Sequence, residues 1–320
     1  MDNLIFILQK TLIYAIPLLV VALGGCVAER SGIINLSLEG GMIIGSFIGA
    51  VFVYTLQRFG LFGENQQLIF LLALLVSGIG GAIFSLLLSF AAINLKGDQT
   101  IGGTALNMLA PAIVVTMCTI FLEQEKLVMI EQPQYAIVNG NLPGILRIFF
   151  DKAYLSTYIC IFVFVLVAVW LYKSKVGTHL RACGEHPQAA DSVGINVVRM
   201  RYLGTTLSGF LAGLGGYAYI ATVSAGTAEN SVQGMGFLAL AIMIFGNWNP
   251  IGIALGAFLF GFLKCVGPIS GSIPFLKALG ISKYLYNIIP YLIVIVVLII
   301  TRKKSGCPKA EGIPYEKSMR

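Results

Sequence analysis

Charged side chains are scarce in this chain of 320 residues. Asp, Glu, Lys and Arg together make up 11% of the sequence, whereas 57% of the residues are hydrophobic and the mean hydropathy is +0.88. These values lie outside the range of soluble globular proteins, which carry about 25% charged residues. No polar stretch is long enough for a soluble domain. The sequence therefore predicts an all-α, polytopic membrane protein.

Several motifs that carry chemistry are also absent. The sequence has no G-x-x-x-x-G-K-[ST] phosphate-binding loop, so the chain does not hydrolyse nucleotides by that route. Its two histidines, His179 and His186, do not form a metal cluster with cysteine. The six cysteines contain no Cys-x-x-Cys pair, and we expect them to be small core residues. We predict no metal site and no cofactor in the chain.

Long apolar runs recur along the whole sequence. A helix that crosses a bilayer needs about 20 apolar residues. The runs predict about nine spans, give or take one, near residues 4–28, 38–57, 67–94, 99–122, 154–172, 202–221, 234–247, 250–269 and 284–301. We assign residues 1–301 to one transmembrane domain and residues 302–320 to a basic tail.

The basic residues predict the topology. Eleven of the 21 Lys and Arg residues lie in the 173–201 loop or in the tail, which places both on the cytoplasmic side by the positive-inside rule. The tail residues are Arg302, Lys303, Lys304, Lys309, Lys317 and Arg320. The 123–153 loop has more acidic than basic residues and is expected outside. Counting spans back from it places residue 1 outside as well.

The stretch at residues 30–50 sets polar groups against a long apolar run. Asn35, Ser37 and Glu39 alternate between Gly32 and the Gly40–Gly41 pair, as in an interrupted helix. Membrane transporters build sites from such discontinuous helices. A solvated loop before the second span explains the same residues equally well.

Small residues repeat at every fourth position in two segments. The rows are Gly41, Gly45 and Gly49, and then Gly204, Ser208, Ala212 and Gly216. Such rows let the backbones of membrane helices approach closely. They indicate packing within the chain or against a partner subunit.

Few ionisable residues lie inside the predicted spans. A carrier driven by protons or sodium usually holds a relay of such residues at membrane depth. The candidates are Glu39 and Lys264, and we expect Lys264 to extend to the interface from the end of its span. The energy source is therefore expected to be external to this chain.

The 173–201 loop is the longest structured cytoplasmic segment that the sequence predicts. Pro187 suits the first position of a helix and Gly194 suits its end, which predicts a helix of about seven residues from 187 to 193. A short helix in a loop of this length is expected to dock into a partner. An ordinary structured loop is the alternative.

Four blocks of the sequence resemble a known family. They are ERSGIINLSLEGGMIIGSF (29–47), GTALNMLAPAI (103–113), RACGEHPQAADSVGINV through SGFLAGLGGYAY (181–219) and GMGFLALAIMIFGNWNPIGIALGAFLFG (234–261). In order and spacing, they resemble the membrane subunit of ABC importers of the ribose and branched-chain amino acid permease superfamily. Within it, the permeases for nucleosides are the most similar.

This resemblance implies a type II ABC importer with several chains. The partners would be a second, related permease, a cytoplasmic ATPase that binds ATP and Mg, and an extracytoplasmic solute-binding lipoprotein. The membrane would be the bacterial plasma membrane, and no nucleic acid is expected. The resemblance also favours an intracellular N-terminus. It identifies the short loop helix as the element that couples to the ATPase, with Gly184, Glu185, His186, Ala189, Ala190, Gly194 and Ile195.

The candidates for lining the translocation path are the polar residues at or near spans. They are Asn35, Ser37, Glu39, Asn107 and Gln233. A path with few charges suits a neutral polar solute, because a charged solute needs a fixed counter-ion. Nucleosides and ribose-like sugars both satisfy this, whereas a branched-chain amino acid is a zwitterion.

A stand-alone ion-coupled carrier and a membrane enzyme are rival classes. We expect Asn247, Trp248 and Asn249 to form a connecting turn.

Overall fold

The computed structural model of the protein describes residues 2–61, 65–138, 144–272, 277, 283–301 and 306–316. Within these residues the fold is a helical bundle with one two-stranded antiparallel ribbon. Strand β1 (Leu127–Val128) pairs with β2 (Thr227–Ala228), with Leu127 opposite Ala228. The prediction of an all-α polytopic bundle is therefore confirmed.

Each predicted apolar segment coincides with a helix. These helices are α1 (Asp2–Arg30), α2 (Leu38–Arg58), α3 (Gln66–Ser89), α4 (Gln99–Leu122), α6 (Leu155–Lys173), α9 (Val197–Thr222), α10 (Met235–Phe245), α11 (Pro250–Ile269) and α12 (Lys283–Thr301). Among the described residues, six helices are long and apolar enough to cross a membrane, by length and composition: α1, α2, α3 with its extension, α4, α6 and α11. Helix α9 is diluted by glycine, serine and threonine, and α10 has only 11 residues.

The remaining elements are short. A π-helical turn (Phe90–Asn94) extends α3, and a 3-10 turn (Ser270–Ser272) follows α11. The others are α5 (Gly144–Phe150), α7 (Lys175–Glu185) and α8 (Pro187–Ser192). Helix α8 matches the predicted loop helix, but the expectation of a single helix in this loop was wrong. Helix α7 precedes it, and its buried residues recur with helical spacing at Gly177, Leu180, Cys183 and Gly184.

Helix α9 forms the centre of the bundle. It packs against α1, α2 and α3, and its backbone approaches theirs closely because the facing residues are glycines. A side chain on Gly45 would overlap the backbone of Gly213, and one on Gly216 would overlap the carbonyl of Met42. The small-residue rows of α2 and α9 therefore pack within the chain, not against a partner.

The two ends of α1 lie on opposite faces of the bundle. Near its start, Gln9 Nε2 donates to the carbonyl of Arg147 in α5 (2.9 Å). At its end, Arg30 lies 3.7 Å from the carboxylate of Glu185 in α7. The start of α1 thus lies on the same side as the acidic 123–153 loop. This agrees with the span count, which places residue 1 on the side of the acidic loop and opposite the basic 173–201 loop.

The two basic segments lie on the same face of the bundle, as their charges predicted. The backbone N–H of Ala310 in the tail donates to the carbonyl of Gly184 in α7 (2.9 Å). Of the basic tail residues, Lys309 is described. Arg302, Lys303, Lys304, Lys317 and Arg320 lie outside the described residues.

The central packing predicts a stability effect. In Gly213→Ala the new methyl group overlaps the carbonyl of Ser77, so the helices must separate. Overpacking of this kind typically costs about 1–3 kcal/mol, and we expect a lower midpoint of thermal unfolding in detergent. The control is Gly102→Ala in α4, whose methyl group would lie at an ordinary 3.5 Å from Leu88 Cδ1. Equal midpoints for the two variants would contradict the packing described here.

Candidate functional site

Residues 31–37, which connect α1 to α2, are not helical, and this interruption is largely buried. Asn35 is 1% exposed and Ser37 is 3% exposed. Asn35 Oδ1 accepts hydrogen bonds from the backbone N–H (3.0 Å) and the hydroxyl (2.7 Å) of Ser37. Its Nδ2 donates to Ser208 Oγ in α9 (2.8 Å). Asn35 therefore closes the turn before α2 and fixes it to α9. Its hydrogen bonds satisfy the polar groups of Asn35 and Ser37, which are buried away from water.

Asn107 holds the same interruption from the side of α4. Its Oδ1 accepts from the backbone N–H of Gly40 (2.8 Å), and its Nδ2 donates to the carbonyl of Leu36 (2.7 Å). One amide thus bridges the last non-helical residues and the first turn of α2. Gly40 packs tightly here, since a Cβ would lie 3.0 Å from the carbonyl oxygen of Leu106 and could be accommodated only if its neighbours moved. Asn107 itself is half-buried.

The carboxylate of Glu39 caps the start of α10. Its Oε1 accepts from the backbone N–H of Gly234 (2.9 Å) and its Oε2 from that of Gly236 (2.6 Å). The first N–H groups of a helix have no partner within the helix, and the helix dipole favours a negative charge there. Glu39 is 6% exposed, so a solvated loop does not describe this position.

Helix α10 starts part of the way through the bundle. Its 11 residues extend about 16 Å, roughly half the thickness of a bilayer core. It ends at the face that carries α7 and the tail, because the turn that follows it contacts Arg30. The start of α10 therefore lies at membrane depth, next to the interruption before α2. The two discontinuities meet at Glu39.

Lys264 lies on the other side of the same turn. It is 6% exposed, so the expectation that it extends to the interface was wrong. Its Nζ donates to the carbonyl of Gln233 (3.1 Å) and to the hydroxyl of Tyr291 (2.9 Å), and lies 4.9 Å from the centre of the Tyr291 ring. The carbonyl and the nearby carboxylate of Glu39 compensate the buried ammonium group. In the turn before α10, Glu39 thus accepts from backbone N–H groups and Lys264 donates to a backbone carbonyl.

Gln233 is the predicted path residue whose side chain reaches the open surface. Its backbone is left-handed, with φ at +54°, and its side chain is exposed, whereas its carbonyl accepts from Lys264. The structure thus brings all five predicted path residues to one region. Asn35, Ser37 and Glu39 are buried there and hydrogen-bonded within the chain, Asn107 is half-buried and Gln233 is exposed.

The predicted coupling residues divide between an inner and an outer face. Gly184 is buried against the carbonyl of Arg30, where no side chain fits, and Glu185 forms its ion pair with Arg30. Ala190 is also buried, and Ile195 is half-buried. The outer face carries His186, Ala189 and Gly194. Gly194 has φ of +86° with open space around it, as expected for a residue that ends a helix.

The turn between α10 and α11 is a structural junction, as expected. Trp248 is 5% exposed, and its Nε1 donates to Glu29 Oε2 (2.5 Å). The carbonyl of Trp248 accepts from Arg30 Nη2 (3.2 Å) and from the hydroxyl of Tyr172 (2.7 Å). Asn249 caps α11 by accepting from the N–H of Ile251 (3.0 Å).

The cysteines and histidines do not form a site in the described residues. None of the six cysteines is in a disulfide, and five are buried as predicted, whereas Cys307 is exposed. Burial raises the pKa of Cys183 in α7 to about 11. No group of three or more His, Cys, Asp or Glu in the described part of the chain is arranged to hold a metal ion.

Sequence reasoning missed one group of residues. Arg201 at the start of α9 is 1% exposed, and its Nη1 donates to the carbonyl of Ile313 in the tail (3.0 Å). We expected the arginine only to set the topology and the tail only to be basic. No motif pairs the two segments, which are 112 residues apart.

Comparison with known proteins identifies the family. The family described as branched-chain amino acid transport system / permease component matches residues 7–298. The nucleoside ABC transporter permease protein NupC of Lactococcus lactis subsp. cremoris is 40% identical over 99% of this chain and 98% of its own length. The guanosine ABC transporter permease protein NupQ of Bacillus subtilis is 36% identical over 98% and 97%. The putative glucose ABC transporter permease protein TsgC13 of Haloferax volcanii is 30% identical over 81% and 76%.

No solved structure matches the chain. The family match covers most of the sequence, and two relatives align over almost their full lengths. The chain therefore belongs to the family of branched-chain amino acid transport system permease components, as a multi-pass permease of the bacterial plasma membrane.

Proposed function

We propose that the chain forms half of the translocation path of an ATP-driven importer for nucleosides. The observation that carries this proposal is the junction of two interrupted helices at Glu39, with the exposed amide of Gln233 beside it. Irregular backbone persists at membrane depth where it is buried in protein or lines a water-filled cavity, and transporters place their solutes at such points.

The chemistry of this surface suits a neutral solute with a ring. Both charges of the region are engaged inside the chain, Glu39 by backbone N–H groups and Lys264 by a carbonyl and a hydroxyl. The exposed residues near the turn include Gln233, with its amide, Ser231, and the rings of Phe237 (50% exposed) and Tyr291 (37% exposed). An amide can hydrogen-bond to sugar hydroxyls or base edges, and the rings can stack on a base.

The names of the relatives support the same solute class. Two of them are named for nucleosides or guanosine, and one is named for glucose. A ribose-like sugar is therefore the alternative solute, although it has no base to stack on the exposed rings. A branched-chain amino acid fits less well, because its two charges need fixed partners and Glu39 and Lys264 already have theirs.

The partners belong to this proposal as well. The chain would pair with a second, related permease, receive solute from an extracytoplasmic lipoprotein and depend on a cytoplasmic ATPase that binds ATP and Mg, with no cofactor of its own. Helix α8 would dock into the ATPase through its outer face, which carries His186, Ala189 and Gly194. Val193, which is 74% exposed, adds an apolar side chain to this face.

An ion-coupled carrier is the second candidate, because Glu39 and Lys264 are both buried at membrane depth. A coupling group must exchange its proton or ion during each cycle. Glu39 instead accepts two backbone hydrogen bonds that hold the start of a helix, so releasing it would also uncap α10. These contacts favour a structural role and an external energy source.

Dependence on ATP is the first expected outcome. In cells that express the complete transporter, uptake of radiolabelled guanosine should stop when the ATPase is inactivated by substitution. Unlabelled nucleosides should compete with the label, whereas ribose and glucose should not. Uptake that continues without the ATPase and stops with an ionophore would establish the ion-coupled carrier instead.

Gln233→Leu should slow transport without disturbing assembly. Because the side chain is exposed, its loss removes a hydrogen bond to the passing solute, worth about 1 kcal/mol or roughly fivefold in rate. We expect the rate of nucleoside uptake at solute concentrations below KM to fall by about this factor. The matched control is Gln124→Leu, an exposed glutamine in the loop after α4. Equal rates in the two variants would remove Gln233 from the path.

Ala189→Trp should weaken the coupling to the ATPase. Ala189 is exposed on α8, so the indole obstructs a docking partner and not the core of this chain. In proteoliposomes we expect substrate-stimulated ATP hydrolysis to fall by at least about tenfold, because a close-packed interface does not accept the added volume. Gln124→Trp, on the opposite face, should retain it. Unchanged stimulation in Ala189→Trp would show that α8 does not dock.

A further inference from the structure

The segment 306–316, here called the C-terminal strap, lies across the face of the bundle that carries α7 and α8. Its backbone makes a hydrogen bond at each of three points. The N–H of Gly306 donates to Asn247 Oδ1 (2.5 Å), that of Ala310 to the carbonyl of Gly184 (2.9 Å) and that of Gly312 to the carbonyl of Gly32 (3.2 Å). Near its end, Glu316 forms an ion pair with Lys96 (2.6 Å).

These anchor points connect elements that are far apart in sequence. Gly184 belongs to α7, Gly32 to the interruption before α2, and Asn247 to the turn after α10. Gly184 itself lies against the carbonyl of Arg30, so α7, the interruption and the strap meet backbone to backbone. Because no flexible side chain lies between these backbones, one segment can move little without moving the others.

A buried arginine holds the strap in place. Arg201 is 1% exposed, and one of its nitrogens donates to the carbonyl of Ile313 (3.0 Å). Its Nε and Nη2 have no hydrogen-bond acceptor among the described residues. The carbonyl of Ile313 is the hydrogen-bond acceptor that the strap supplies to this buried guanidinium group, and undocking the strap would break that bond.

We propose that the C-terminal strap, held through Arg201, is a positioning segment that fixes α7 and α8 to the interruption before α2. Movement of the coupling helices would then be transmitted through Gly184 and Gly32 to the turn at Asn35 and on to Glu39. Since Glu39 caps α10, the same movement would reach the region beside Gln233. This inference rests on the proposed function, in that α8 meets the ATPase.

Cys307 offers a probe of the strap in the intact protein. It is the exposed member of the six cysteines, and the other five are buried. Its thiol donates to the carboxylate of Glu311. Partial burial, followed by this hydrogen bond and the charges of Glu311, Glu29 and Glu185, raises the pKa of Cys307 to about 12. Because maleimides react with the thiolate, a docked strap should label slowly and a released strap quickly.

The experiment compares labelling of Cys307 with ATP hydrolysis in the same purified complex. Arg201→Ala removes the buried donor, and Gly312→Val places a side chain at φ +74° against Ile34. We expect both variants to label at least about tenfold faster at pH 7.5, and substrate-stimulated hydrolysis to fall at least fivefold while basal hydrolysis is retained. Gly60→Val is the matched control, because Gly60 has φ of +64° and nothing within 4 Å.

Three results would overturn the proposal. Rapid labelling in the unsubstituted complex would mean that the strap is not docked. Fast labelling with full stimulation in Gly312→Val would mean that the docked strap transmits nothing. Loss of stimulation in Gly60→Val would mean that the effect is unspecific.

A complex without any nucleoside-stimulated hydrolysis would instead contradict the proposed function, and the labelling rates would still report whether the strap is docked. Unlabelled buried cysteines would confirm that each variant is folded.

Discussion

The fold depends on how it pairs the backbone groups of two interrupted helices at membrane depth. Each end of a helix leaves N–H or carbonyl groups unpaired, and lipid offers them no partner. Here Glu39, in the first turn of α2, accepts hydrogen bonds from the N–H groups at the start of α10. One side chain next to the 31–37 interruption thus pairs the backbone groups that the start of α10 leaves free. Asn107 and Asn35 complete the pairing on the side of α2. Asn35 and Glu39 in the stretch 30–50 are thus explained by the hydrogen bonds that they make at the two helix starts.

This use of the polar groups determines what remains for a solute. A carboxylate and an ammonium group lie within one region of the membrane domain, yet both point into the turn before α10 and hold it from opposite sides. Their charges are therefore largely neutralised before any solute arrives, and the open surface beside them carries an amide and aromatic rings. In the proposed function, this surface would recognise neutral molecules through hydrogen bonds and stacking. It offers no fixed counter-ion to a zwitterion.

The sequence predicted the parts of this fold that depend on local pattern. Apolar length located the helices, and Pro187 with Gly194 located α8, because each signal lies within the element it describes. The glycines around Asn35 indicated the interruption for the same reason. Partners distant in sequence were not predictable: Glu39 pairs with residues 195 and 197 positions away, and Arg201 with one 112 positions away. The expectation for Lys264 was wrong because its position near the end of a span suggested water, whereas its partners come from α12 and from the turn before α10.

The contacts of the interruption also restrict how the two faces can communicate. Within a few residues the chain is fixed to the strap at Gly32, to α9 at Asn35 and to α4 at Leu36, and then begins α2 with the cap on α10. A displacement at Gly32 that broke one of these buried hydrogen bonds would leave a polar group unpaired, at a cost of about 1–3 kcal/mol. In the proposed function, this cost favours movement of the interruption together with the start of α10 over movement of either one alone.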